Sequence, residues 1–281
     1  MDLLKEAMNI KQDGLFLVVL GASGVGKSHF IGTYPGKTLL LYGSGESHGP
    51  ASAVKSNKDL IPIAWNRGKD AKGNLIDLEP NKILARIKEA LDPATLKAAG
   101  VKCVAIDSLT NLCLDIKETD IFKQRCMGAR GQHNPFKETE ALIELLSGVV
   151  KQLQTLSDFH DIDSICTLDL SIQAVSEDGT ILESKPGLPT FGVGKAIIQQ
   201  LPDILVLNRR GGQPPEFENL AHVASASKDR ETQSLVKYIE YHPRLRGVNE
   251  LPDRIPADVS TILDLKKDDE GLAPRFVGGC V

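Results

Sequence analysis

Apolar positions follow two textures along this chain. Short unbroken runs, Leu15–Leu20 (LFLVVL), Lys37–Tyr42 (KTLLLY) and Val101–Ile106 (VKCVAI), have strand length and read as strands buried on both faces. Leu60–Trp65 is a weaker run of the same kind. Between them lie apolar positions at helical spacing. Ile83, Leu84, Ile87 and Leu91 mark a helix within Asn81–Ala99 that Pro93 splits. Leu142, Leu145, Leu146, Val149, Val150 and Leu153 share one face of a long helix over Phe136–Leu156. Ile162–Leu170 predicts a strand, and Asp178-Gly179 predicts a hairpin turn between Ile172–Ser176 and Thr180–Glu183. A short helix over Gly192–Gln200 and strands at Ile204–Leu207 and Leu220–Ala226 follow. Strands alternating with helices predict an α/β fold, a mostly parallel central sheet with helices on both faces. The core is expected over residues 1–240. Residues 241–281, with Pro243, Pro252, Pro256 and Pro274, are expected as a partly irregular C-terminal extension packed on it.

Composition narrows the function classes. The chain has 281 residues, 33 basic against 37 acidic, and a net charge of −4. A globally basic coat for nucleic acid is excluded, so any such contact must use a local patch. No run approaches the roughly 18 apolar residues of a membrane helix, and no membrane partner is expected. Five scattered cysteines without a CxxC pair point to a reducing, cytoplasmic setting without disulfides or structural zinc.

The densest chemistry is Gly21-Ala22-Ser23-Gly24-Val25-Gly26-Lys27-Ser28, which fits GxxxxGK[ST]. It lies between an expected buried strand and a helix-compatible HFIGTY, the context in which this pattern cradles phosphate. Its glycines let successive N–H groups converge on phosphate oxygens at a helix N-terminus. Lys27 is the cation for the terminal phosphates and Ser28 the hydroxyl for Mg²⁺, with His29 closing the nucleotide-binding stretch. A second Mg²⁺-organising carboxylate is needed at the end of a neighbouring strand, and Asp107, closing VKCVAID, is placed for it.

Several further segments resemble RecA-fold ATPases. LLLYGSGES (39–47) resembles the strand and Gly-Glu-Ser turn of the RadA/Sms group, AIDSLTNL (105–112) its second Walker motif, and LPDILVLNR (201–209) a late strand. Ser227-Lys228-Asp229-Arg230 resembles the Lys-x-Arg finger of RadA and DnaB-type helicases, without the Phe-Gly that follows it in RadA. The small size most resembles phage RecA-like ATPases, including Sak-type proteins that support single-strand annealing. The resemblance implies a RecA-like P-loop fold, ATP and Mg²⁺ as cofactors, a homo-oligomeric ring or filament, and Glu46 as catalytic glutamate. It also implies that Lys228 and Arg230 reach a neighbouring subunit's site, and that the first DNA-binding loop follows the Asp107 strand.

Chemistry supports several of these roles independently. Hydrolysis needs a group that orients and deprotonates water. A carboxylate such as Glu46, just past a strand expected beside the P-loop strand, faces the crevice. Asp107 or Asp169 are the next candidates for that base. Lys228 and Arg230, one residue apart, point to the same side of a strand and form a cationic clamp. The stretch Ile121–Lys137 carries Lys123, Arg125, Arg130 and Lys137 and no acidic residue, with Phe122, His133 and Phe136 available for stacking. The expected function is an oligomeric Mg-dependent ATPase that binds single-stranded DNA in recombination or annealing. The alternative is an ATP-dependent assembly switch acting on a protein partner in phage replication or packaging. A small-molecule kinase is weaker, because Arg209-Arg210 is too short for an arginine-rich lid.

Overall fold

The computed structural model of the protein describes residues 14–43, 48–128, 131–175, 181–189, 191–209, 213–218, 243–248 and 250–270. The first strand, β1 (Phe16–Gly21), runs into a one-turn helix, α1 (Lys27–Ile31). The chain continues through β2 (Thr38–Tyr42), α2 (His48–Ser56), β3 (Leu60–Ala64) and a ribbon of β4 (Arg67–Lys69) and β5 (Leu75–Asp77). Helices α3 (Ile83–Ala90) and α4 (Pro93–Ala98) follow. They are separate as expected, since Asp92 caps α4 by accepting from the Thr95 N–H and Pro93 occupies its first turn.

Next come β6 (Cys103–Asp107), α5 (Leu109–Lys117), α6 (Asp120–Arg125) and the long α7 (Pro135–Phe159). Strand β7 (Asp163–Val175) forms an antiparallel hairpin with β8 (Ile181–Pro186). Then follow α8 (Phe191–Ile198), β9 (Asp203–Asn208), β10 (Glu216–Glu218), β11 (Arg254–Pro256) and α9 (Val259–Glu270). No helix among the described residues is long and apolar enough to cross a membrane.

The main sheet runs β11-β10-β9-β1-β7-β6-β2-β3, with β8 attached to β7. From β9 to β3 every pairing is parallel, and β10 and β11 add an antiparallel edge. Alternation along each strand decides the two layers. Phe16, Val18 and Leu20 enter a core with α3, α4, α5, α7 and α8. Leu15, Leu17 and Val19 enter a second core with α1, α2 and α9. The continuous apolar runs therefore mark strands covered on both faces.

Two expectations change. Asp107's strand is not beside the P-loop strand, because β7 lies between β1 and β6. The strand leading to Glu46, β2, lies one place further out, beyond β6. Beyond residue 240 the described segments combine turns with two regular elements, β11 and α9. Leu245, Leu251, Ile255, Val259 and Ile262 complete the second core, and β11 pairs with β10. A buried clasp fixes them. Asp203 accepts from the backbone N–H of Phe16 and of Arg246, and the Arg246 and Lys266 side chains lie 3.6 Å from its carboxylate. The strand Leu220–Ala226 lies outside the described residues.

Candidate functional site

The parallel strands end together, and their last residues set the site. Gly21 pairs in register with Asp169, and Tyr42 with Asp107. Asp169 is the last β7 residue paired with β1, and Leu170 the first paired with β8. Around these ends opens a cleft of about 400 Å³ lined by Ser23, Gly24, Gly26, Lys27, Ser28, His29, Gly49, Ser52, Asp107 and Asp169. It lies beyond the carboxyl ends of the strands, where open α/β sheets place ligands.

Two glycines of the Gly21–Ser28 stretch have conformations that side chains disfavour. Gly24 has φ +77° and Gly26 φ +114°, so a Cβ at either position is strained. Val25 buries its side chain in the second core and anchors the loop. Gly21 and Ala22 turn their carbonyls to Lys27, whose Nζ donates to them at 2.9 and 3.0 Å and to Asp169 Oδ1 at 2.8 Å. Lys27 is only 8% exposed, so this ammonium is held in place before any ligand arrives. His29 is exposed, its Nδ1 3.0 Å from Ser56 Oγ on α2.

Ser28 Oγ donates to Asp107 Oδ2 at 2.5 Å. The other carboxylate oxygen of Asp107 accepts from Thr167 on the intervening strand β7. Asp107 is 3% exposed and Thr167 fully buried, so this pair fixes the carboxylate's rotamer. Gly49 supplies clearance, since a Cβ there would sit 2.7 Å from Ser28 Oγ. A hydroxyl and a carboxylate converging on cleared space fit a hydrated Mg²⁺, which takes one or two protein oxygens and completes its shell with phosphate and water.

Glu46, Lys228, Arg230 and Arg130 lie outside the described residues. The chain reaches Glu46 from Gly43, which rests on the buried Trp65 ring; a Cβ there would be 3.2 Å from Cζ2. Trp65 donates its indole N–H to Asp115 Oδ2 at 2.6 Å.

The basic stretch differs from an open loop of uncompensated cations. Asp120–Arg125 is helical, with Thr119 capping it, and Phe122 is buried in the core rather than free to stack. Lys123 pairs with Glu118 at 3.3 Å and Arg125 with Glu144 at 2.6 Å. Lys137 Nζ donates to the Met127 carbonyl at 3.1 Å. Phe136 is 83% exposed.

Three residues enter the site without a signal in the motif. Thr167 supports Asp107, Thr110 Oγ1 accepts from the Asp169 N–H, and Asp169 holds Lys27. The run Ile162–Leu170 carries two carboxylates, Asp163 and Asp169, and nothing in its pattern tells which one meets Lys27. No protein-family model matches this sequence, and no curated protein matches it.

Proposed function

We propose that the protein is a RecA-like P-loop ATPase, Mg-dependent and oligomeric, that acts on single-stranded DNA in recombination or annealing. The observation that carries the nucleotide reading is the convergence of Lys27, Ser28 and Asp107 on one cleft at the strand ends. Loop N–H groups and Lys27 bind the phosphates, and Ser28 with Asp107 holds Mg²⁺. Mg²⁺ held by Ser28 and Asp107 would offset the negative charge of the phosphates. Glu46 orients and deprotonates the attacking water. Lys228 and Arg230 supply charge to the transition state of a neighbouring subunit.

The DNA assignment rests on Lys123, Arg125, Arg130 and Lys137 together with the exposed Phe136. A second reading, an assembly switch with a protein partner, is favoured by one observation. Glu118 and Glu144 already neutralise Lys123 and Arg125. ATPase rates with and without single-stranded DNA, at two salt concentrations, separate them. Stimulation that weakens with salt supports DNA. A DNA-independent rate at both salts moves the assembly switch to first place.

A further inference from the structure

Lys27 carries three N–H donors, and all three are taken: by two main-chain carbonyls of the P-loop and by the carboxylate of Asp169. An arriving phosphate gains a donor from Lys27 only by displacing one acceptor. The carbonyls belong to the loop itself. The Asp169 carboxylate is the only acceptor that is both a side chain and charged.

Asp169 cannot withdraw by moving its backbone. Its N–H donates to Thr110 Oγ1 at 3.0 Å, and its carbonyl accepts from the Gly187 N–H at 2.7 Å. Gly187 packs so closely that a Cβ there would lie 3.1 Å from the Cβ of Asp169. The strand register holds Asp169 beside Gly21. Once displaced from Lys27, the carboxylate therefore stays next to the incoming phosphate, and charges that close repel strongly in a partly buried cleft.

Among the described residues the cleft lining holds one lysine, Lys27, against two carboxylates, Asp107 and Asp169. The lining is thus one negative charge in excess. A metal-free nucleotide, itself a polyanion, meets a net-repulsive site. A divalent cation at Ser28 and Asp107 reverses the sign.

We infer that Asp169 is a specificity-determining residue: an internal anion that occupies Lys27 and makes the site discriminate against phosphate ligands arriving without Mg²⁺. This rests on the nucleotide-binding reading above and concerns selectivity rather than turnover.

The test is calorimetric titration with ATP, in Mg²⁺ and in EDTA, of wild type, Asp169→Asn and Asp169→Ser. Asn keeps the shape and an acceptor for Lys27, and Ser removes most of the side chain. Wild type binds Mg-ATP far more tightly than ATP in EDTA. The variants gain about tenfold in affinity for metal-free ATP, a gain of about 1.4 kcal/mol, and gain less for Mg-ATP, so the ratio of the two affinities falls. Unchanged or weaker binding of metal-free ATP by both variants overturns the inference. So does a wild type that binds ATP equally well with and without Mg²⁺, which needs no variant to fold. A wild type that binds neither form removes the nucleotide reading itself.

Discussion

Ser28 and Asp107 lie 79 residues apart in the chain and meet at 2.5 Å. The contact spans a strand, since β7 separates the strands they follow and close. Thr167 on that intervening strand completes the link by donating to Asp107. The same carboxylate therefore serves the cleft and the interior of the sheet.

Substitution at Asp107 consequently has two separable effects. Asp107→Ala leaves the fully buried Thr167 hydroxyl without its acceptor, a loss of about 1–3 kcal/mol. Asp107→Asn keeps an acceptor and costs less, yet weakens the response of nucleotide binding to Mg²⁺. Urea midpoints of the two variants, beside Mg²⁺ titrations, distinguish these outcomes. Equal destabilisation by both removes the assigned role of Thr167.

Glu46→Gln retains Mg-ATP binding and lowers turnover by about a hundredfold or more, the scale of a lost general base. Single-turnover hydrolysis measures this. Near-wild-type turnover transfers the role to another carboxylate. Asp107, engaged by Ser28 and Thr167, and Asp169, engaged by Lys27, are then the next candidates.

If Lys228 and Arg230 act across a subunit boundary, two inactive proteins can restore each other. Lys27→Ala mixed with Arg230→Ala recovers part of the ATPase rate, because one interface in the mixture has both intact parts. Specific activity also rises with protein concentration. Co-assembly shown by light scattering without any recovery counts against a finger in trans.

Arg125 and Arg130 test the DNA assignment. Replacing both with alanine weakens single-strand binding similarly on all sequences and flattens the salt slope by about 1.4. Because Glu144 pairs with Arg125 at 2.6 Å, Glu144→Gln frees that cation and tightens binding. Fluorescence anisotropy over a salt series reads both effects. A double variant indistinguishable from wild type leaves the stretch as a solvated connection.

The legible features of the sequence were local ones. Eight consecutive residues match the GxxxxGK[ST] pattern, and the strand before them shows in the unbroken run Leu15–Leu20. The split near Pro93 follows from single residues of fixed conformational preference, and β7 pairs with β8 on either side of the expected Asp178-Gly179 turn, which itself lies outside the described residues. Strand order was not legible, because parallel pairing leaves no mark within either strand. The insertion of β7 between β1 and β6 therefore placed Thr167 in the site unannounced and gave Asp169, expected only as an alternative base, its contact with Lys27. Counter-charge was hidden for a related reason. Ile121–Lys137 has no acid of its own, and its partners are Glu118, just past the end of α5, and Glu144 on α7. The three-residue strands β10 and β11 are too short to show a period.

The central claim is that Lys27 at the start of α1 holds the phosphates of a nucleotide. Calorimetric titration of Mg-ATP into wild type and Lys27→Ala tests it most directly, with a thermal melt of each. The account predicts saturable binding to wild type and none detectable to a variant that still melts cooperatively. A folded Lys27→Ala protein that binds Mg-ATP as tightly as wild type contradicts it.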